Sequence, residues 1–174
     1  MRHTQTAFFY FFSILLSMNI FANIEMLKLD PGFKISIFAS DLDQPRQMIE
    51  SKNGTIFIGE RSGQIIALLD SDGNGQADSK RVIADDLTYS TGVSIFEGDL
   101  YFSEISKIWK IQDIENWLQK NSSGFPEKIL VTQDLPEDKW HGWKWLQHNA
   151  EGDIYTNVGA PCNICISENP QYAS

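Results

Sequence analysis

Residues 37–42 read IFASDL, and the same outline returns as VIADDL at 82–87 and as LVTQDL at 130–135. Each copy opens with apolar residues typical of a β-strand and closes with Asp-Leu. The copies begin 45 and 48 residues apart. A repeat of this period is typical of solenoids and propellers, so it decides the fold before any single motif does.

A glycine-centred turn and an apolar-aromatic pair follow each copy. The pairs are Ile56-Phe57, Leu100-Tyr101 and Ile154-Tyr155. Short runs rich in Ile, Val, Phe and Tyr between such turns favour β-meanders, and about 45 residues with four strands make one propeller blade. We therefore expect an all-β fold, the first two to three blades of a propeller built from four-stranded antiparallel sheets. The expected domain covers 23–174, with blades at roughly 33–80, 81–128 and, incomplete, 129–174.

One helical segment interrupts this pattern at residues 113–120. Ile114, Trp117 and Leu118 fall on one face of a helix, and Asp113 is placed to cap its first turn. We expect a short helical insert between the second and third blades.

The N-terminal residues 1–22 have the outline of a signal peptide. Arg2 precedes an apolar run at 7–18, which is shorter than the roughly 18 residues of a membrane-spanning helix. We expect cleavage after Ala22 and a periplasmic or secreted protein without a membrane span. The alternative is an uncleaved N-terminal anchor, since Ile20 fits the cleavage pattern poorly.

The charge balance excludes one class of partner. The chain holds 14 basic and 23 acidic residues, a formal net charge of −9. An acidic surface repels the phosphate backbone, so we expect no nucleic acid as a partner.

Five short motifs occur in one order: LDQPRQM at 42–48, GERSG at 59–63, DSDGNGQAD at 70–78, HGWK at 141–144 and VGAPCNIC at 158–165. In this order they resemble the glucose/sorbosone dehydrogenase family, and most of all its L-sorbosone dehydrogenase branch. The resemblance covers nearly all of residues 27–174.

The resemblance implies a six-bladed propeller that binds pyrroloquinoline quinone (PQQ) over its central tunnel. Such an enzyme oxidises an aldose or a sorbosone-type sugar and passes electrons to a cytochrome or another acceptor. Two to three blades do not close a propeller, because each blade buries its faces against its neighbours. We therefore expect this chain to be a truncated, N-terminal part.

His141 matches the general base of the family. A base assists hydride transfer to a quinone because the sugar's hydroxyl proton must leave as well, and an imidazole titrates in the right range. In the glucose branch an acidic residue orients this histidine, whereas Ala160 stands at the matching place here. Asp138 is an alternative orienting partner, and a packing role for His141 beside nearby tryptophans is the alternative to catalysis.

The resemblance places Arg46, Gln47 and Lys144 at the cofactor. Arg46 and Gln47, together with Glu60 and Arg61, lie on inner segments of the first blade and are expected to line the tunnel mouth. The alternative, which we favour for Glu60, is an ion pair with one of the two arginines.

A second candidate site is the stretch 70–78. Asp70, Asp72, Asn74 and Asp78 stand at places that supply oxygen ligands in a calcium loop. The twelfth place holds Arg81 instead of glutamate, and the flanks are strand-like. We favour a long hairpin turn and keep calcium as the alternative.

Cys162 and Cys165 are the only cysteines. In an exported protein a C-x-x-C pair can close into a disulfide, which we favour, or bind a metal with distant partners. Trp140, Trp143 and Trp145 recur near period two, so some should share one face and pack against the next blade, with sugar stacking as the alternative.

Two other functions stay open. One is a metal-dependent, lactonase-like propeller hydrolase, for which Glu60 and Glu104 are the plausible tunnel acids. The other is a propeller fragment that is inactive or only binds.

Overall fold

The computed structural model describes residues 24–120, 123–160 and 163. The signal peptide expected at 1–22 and both cysteines of the expected disulfide lie outside these residues. The chain divides into two units, residues 1–36 and 37–174. The described part of the first unit holds a 3-10 helix at Ile24–Met26 and a turn in which the Phe33 N–H donates to the Asp30 carbonyl at 3.2 Å.

The second unit begins with a four-stranded antiparallel meander. Its strands, paired in chain order, are β1 (Pro45–Glu50), β2 (Ile56–Glu60), β3 (Gln64–Leu69) and β4 (Ser79–Ala84). The middle strands are rich in isoleucine and largely buried, as expected of strands covered on both faces.

A second meander repeats this arrangement. It consists of β5 (Val93–Phe96), β6 (Asp99–Ser103), β7 (Ile108–Ile111) and β8 (Ile129–Thr132). Glu97 and Gly98 join β5 to β6 with φ values of 50° and 90°. Two consecutive positive φ angles make the type I′ turn whose twist suits a two-residue hairpin.

A third sheet contains β9 (Leu146–His148) and β10 (Ile154–Thr156), paired antiparallel. The three apolar-aromatic pairs of the sequence therefore occupy β2, β6 and β10, the second strand of each sheet. The all-β class and the four-stranded blades of a partial propeller are confirmed.

The blade boundaries differ from those expected. The limit at 80/81 falls inside β4, and the limit at 128/129 falls just before β8, so VIADDL and LVTQDL contain the last strand of one blade and not the first strand of the next. The reason is that a periodic sequence fixes the length of the unit but not where the unit begins.

Two clusters of buried apolar side chains stabilise the first two sheets. One joins them and includes Phe57, Ile83, Val93 and Phe102, all with no exposed area. The other covers the opposite face of the first sheet around Ile66. Because side chains alternate along a strand, neighbours on β2 feed both clusters, and full burial of each such side chain contributes roughly 1.5–3 kcal/mol.

The helical insert is α1 (Ile114–Gln119), between β7 and β8. Ile114 and Leu118 are buried and Trp117 packs against the same cluster, as expected. The expected cap is wrong: Asp113 has a left-handed backbone, and its carboxylate accepts a bond from the Asn116 side chain at 3.0 Å and none from the helix backbone. Across the described residues, no helix has the length and apolar character needed to cross a membrane.

Candidate functional site

A cleft of about 710 Å³ opens beside β1 and the segments that precede β5 and β9 and follow β10. It is lined by Arg46, Gln47, Met48, Thr91, His141, Trp143, Lys144, Trp145, Asn157 and Gly159. Among the residues that the structure describes, no acidic one lines the cleft, although the chain carries a net charge of −9. The lining is therefore cationic and aromatic within an acidic protein.

His141 lies at the rim of the cleft with an exposed side chain and a left-handed φ of 54°. Its Nδ1 is 3.0 Å from the carbonyl oxygen of Ala160. A carbonyl can only accept, so this bond requires the proton on Nδ1 and leaves the lone pair on Nε2. A Cβ on Gly159 would collide with the His141 carbonyl, so this close approach needs glycine.

The orienting partner of His141 is thus a main-chain group. It belongs to Ala160, whose methyl side chain could not itself orient the imidazole. Asp138 lies in the same loop, and its carbonyl oxygen is so close to Gly142 that a Cβ on that glycine would collide with it. No sequence signal distinguishes this geometry, because every residue carries a carbonyl.

Two arginines lie over the ring of Trp143. The guanidinium carbons of Arg46 and Arg61 are 4.6 and 4.8 Å from its centroid. Arg61 also lies 5.1 Å from the ring of Tyr89. Cation–π contacts of this kind hold both arginines against Trp143 without neutralising their charge. Arg46 is among the residues that line the cleft, and Arg61 is not.

Gln47 and Lys144 use their polar atoms within the protein. The Gln47 side chain donates to the Leu146 carbonyl at 2.7 Å and accepts from the N–H groups of Leu146 and Val93 at 3.0 and 3.3 Å. Lys144 is only 2% exposed and donates to the Gly142 carbonyl at 2.6 Å. Of the three expected cofactor contacts, Arg46 is therefore the one with a charged group exposed at the cleft.

Glu60 and Glu104 are buried and serve the backbone. Glu60 accepts the N–H of Asp43 at 2.8 Å, and Glu104 accepts the N–H of Thr88 at 2.8 Å and the indole N–H of Trp109 at 2.7 Å. The ion pair that we favoured for Glu60 is replaced by this backbone bond. The carboxylates required by a lactonase-like metal site are thus already engaged.

The 70–78 stretch is the turn between β3 and β4. The carboxylates of Asp70, Asp72 and Asp78 lie within 4.8 Å of one another. Their oxygens accept backbone N–H groups, including Gly75 on Asp70 at 2.9 Å and Asn74 on Asp72 at 3.1 Å. The Gly75 bond is the main cause that lowers the pKa of Asp70. The stretch joins two antiparallel strands as a hairpin turn does, and its three carboxylates are also close enough to one another to hold a metal ion.

The tryptophans differ in their surroundings. Trp143 and Trp145 share an exposed face of the segment before β9, 38% and 50% exposed, and both line the cleft. Trp140 is 63% exposed, and its ring lies 4.9 Å from that of His141.

Sequence reasoning missed Thr91 and Asn157. The Thr91 hydroxyl donates to the Lys144 carbonyl at 2.9 Å. Asn157 accepts from the Trp145 N–H at 2.7 Å and donates to the Trp143 carbonyl at 2.9 Å, which holds both tryptophans at the cleft. Both residues lie just outside strands, where a polar residue gives no signal of its own.

Comparison with known proteins gives distant relatives. No protein-family model matches the chain. Over 149 residues it is 24% identical to an uncharacterized protein of Borreliella burgdorferi, a match that covers 80% of this chain and 37% of that protein.

Solved structures give a clearer likeness. The chain is similar to the holo form of the PQQ domain of pyranose dehydrogenase from Coprinopsis cinerea, with a TM-score of 0.63 and 16% identity over 79% of this chain and 33% of that one. It is also similar to an iodide structure of a carbohydrate-active enzyme of family AA12 from Trichoderma reesei, with a TM-score of 0.51 and 16% identity over 67% of this chain and 29% of that one. The chain spans about a third of the proteins it matches, and its fold is similar to that of part of the PQQ domain of pyranose dehydrogenase.

Proposed function

We propose that the chain is the N-terminal part of an exported, PQQ-dependent oxidoreductase that oxidises an aldose or a sorbosone-type sugar. The observation that carries the proposal is the cleft itself. It combines an exposed histidine whose Nδ1 is bonded to a carbonyl with an arginine whose charge is offset by none of the described lining residues. The fold likeness to the PQQ domain of pyranose dehydrogenase supports it.

The donor set of the cleft fits a planar, polycarboxylate quinone. Arg46 can bind a carboxylate through its guanidinium, and the half-exposed ring of Trp145 offers a stacking surface. When bound, the quinone would supply the acceptor for the hydride. The protein would supply binding, orientation and a proton acceptor.

His141 would take the proton. With Nδ1 bonded to the Ala160 carbonyl, Nε2 is the basic nitrogen of the ring, and a sugar hydroxyl within hydrogen-bond reach would give its proton to that atom. General-base catalysis of this kind contributes typically 10²–10⁴-fold to a rate. The carbonyl bond keeps the ring in the tautomer that the step needs.

The finer features of the proposal come from the sequence. The order of the five sequence motifs favours the sorbosone branch, and the apolar segment at 7–18 favours export to the periplasm or beyond. A cytochrome or another external acceptor would then receive the electrons.

Titration of the full-length protein with PQQ tests the proposal. We expect the protein to bind PQQ with a measurable change in fluorescence, and Arg46→Ala to weaken binding roughly 10–100-fold, since hydrogen bonds to charged groups contribute about 1.5–3 kcal/mol. His141→Ala should leave binding nearly unchanged and slow sugar-dependent dye reduction by about 10²–10⁴-fold, the usual contribution of a general base.

Arg81→Ala is the matched control. Arg81 also lies over a tryptophan, 4.7 Å from the ring of Trp117, but it does not line the cleft. Absence of PQQ binding by the full-length wild-type protein, or equal weakening by both arginine variants, would overturn the proposal.

A further inference from the structure

Lys144 is a buried lysine in an alternating segment. From residue 142 to residue 148, even-numbered residues are buried and odd-numbered residues are exposed. Lys144 takes one of the buried places, and only 2% of it is exposed. A charged side chain is almost never buried without a specific partner, so the burial of Lys144 requires one.

The second blade fixes the main chain of Lys144. The Lys144 carbonyl accepts from the hydroxyls of Thr91 at 2.9 Å and Ser103 at 3.3 Å. A Cβ on Gly92 would lie only 2.5 Å from the same carbonyl. The main chain of Lys144 is therefore fixed to the second blade, which is separate from the loop that carries His141.

The side chain of Lys144 reaches back to that loop. Its Nζ donates to the Gly142 carbonyl at 2.6 Å, one residue after His141. The loop is closed tightly at this point, because a Cβ on Gly142 would collide with the Asp138 carbonyl. A movement of Gly142 would move the backbone of His141 with it.

We propose that Lys144 is a positioning residue for His141. Its carbonyl is bonded to the second blade and its amine to Gly142, so Lys144 fixes the loop that carries the base relative to that blade. The catalytic meaning of this role rests on the proposed function. Burial lowers the pKa of Lys144, and the nearby charge of Asp138 opposes that effect. Charged or neutral, the amine keeps an N–H to donate.

The direct test reads the imidazole of His141 by NMR and needs no ligand. In the wild-type protein we expect the Nδ1–H tautomer, because the Ala160 carbonyl requires it. Lys144→Met keeps most of the stem and removes the donor, so we expect tautomer averaging and broadened ring signals. Lys144→Arg, which restores a donor, should recover part of the wild-type spectrum.

Lys107→Met is the control, since Lys107 lies outside the cleft, 5.8 Å from the ring of Trp109. If Lys144→Met does not fold, Thr91→Val loosens the Lys144 carbonyl without changing a charge, and we expect the same change in smaller measure. A folded variant with an unchanged His141 tautomer would overturn the proposal.

A kinetic cycle separates this role from general damage. Where dye reduction is measurable, Lys144→Met should lower kcat roughly 10-fold or more with little change in KM, and should have no further effect in a His141→Ala background. An equal loss in both backgrounds would contradict a role through His141. A lack of PQQ binding would overturn the proposed function and leave the NMR result to decide on Lys144.

Discussion

At the scale of single residues, Gln47 joins three sheets. It lies on β1, its backbone N–H donates to the Thr91 carbonyl at 3.3 Å, and its side chain meets the N–H of Val93 on β5 and both backbone groups of Leu146 on β9. Val93 and Leu146 have no exposed area. One amide thus satisfies backbone groups that would otherwise be buried without partners.

We expect Gln47→Ala to lower the free energy of unfolding by about 2–4 kcal/mol, because it leaves two buried N–H groups and one carbonyl without partners. Urea denaturation followed by tryptophan fluorescence measures this change. Gln133→Ala, at an exposed position, is the control and should change stability by less than about 0.5 kcal/mol. Equal effects of the two substitutions would show that Gln47 does not join the sheets.

His148 predicts a dependence of stability on pH. It is 9% exposed, its Nδ1 lies 2.8 Å from the Ser94 hydroxyl, and its ring lies 5.3 Å from that of Phe96. Burial lowers its pKa from the ordinary value of 6.5. Between the folded pKa and 6.5 the unfolded chain therefore binds more protons, so stability falls as pH drops below 6.5.

His148→Phe should flatten this acid-side fall. The variant keeps an aromatic ring beside Phe96 and leaves the Ser94 hydroxyl unpaired, at a cost of about 1 kcal/mol at neutral pH. Urea midpoints measured from about pH 8 to about pH 5 compare the two proteins across the range where histidine titrates. Parallel pH curves would contradict the prediction.

At the scale of elements, a buried glutamate binds the segment that leads into the first strand of each of the first two blades. Glu60 accepts the N–H of the residue after the first Asp-Leu, 17 residues earlier, and Glu104 does the same for the second, 16 residues earlier. In the third repeat the matching places hold Pro136, which has no N–H, and Val158, which has no carboxylate. Donor and acceptor are lost together in the repeat that carries the longer loop with His141.

Glu104→Ala should destabilise the second blade by about 2–4 kcal/mol, because the N–H of Thr88 and the indole N–H of Trp109 both lose their acceptor. Glu151→Ala, in the exposed turn between β9 and β10, removes an equal charge and should have little effect. Thermal unfolding of the two variants at one pH measures the difference. Similar midpoints would mean that the buried carboxylate adds nothing beyond its charge.

The turn between β3 and β4 gives a prediction for metal removal. The carboxylates of Asp70, Asp72 and Asp78 already accept backbone N–H groups. We expect the melting temperature to be the same with millimolar calcium and with a chelator. A rise with calcium that disappears in Asp70→Asn would instead assign this turn to calcium.

At the scale of the whole molecule, the sequence predicted what is local and periodic. Strand runs, glycine turns and the apolar face of α1 depend on near neighbours, so the repeat was sufficient for the all-β class and the four-stranded blades. The repeat did not indicate which strand begins each sheet, because a period has no marked beginning. Contacts such as Gln47 with Leu146 depend on how three sheets meet, which no local pattern contains.

The same distinction applies to the site. His141 followed from a resemblance, whereas its partner, the Ala160 carbonyl, is a backbone group brought close by the fold. Burial of Lys144 was equally hidden, because a lysine in a sequence is expected at the surface. Residue identity therefore predicts the chemistry of a site better than it predicts the contacts that hold the site's residues in place.

On the proposed function, the contrast between the acidic chain and its cationic cleft predicts how salt affects PQQ binding. At low ionic strength the Debye length is about 30 Å, so an anionic quinone meets the field of a chain with net charge −9. At about 0.15 M it is about 8 Å, and the cations at the cleft dominate the last part of the approach. Stopped-flow measurements should show association that speeds up over this range and dissociation that accelerates at higher salt.

An uncharged quinone of similar size is the control, and its association should respond little to salt. Association of PQQ that slows steadily from the lowest salt would mean that Arg46 and its neighbours set the field well beyond the cleft. The acidic surface would then have no influence on the approach of the ligand, contrary to the long-range repulsion on which the prediction depends.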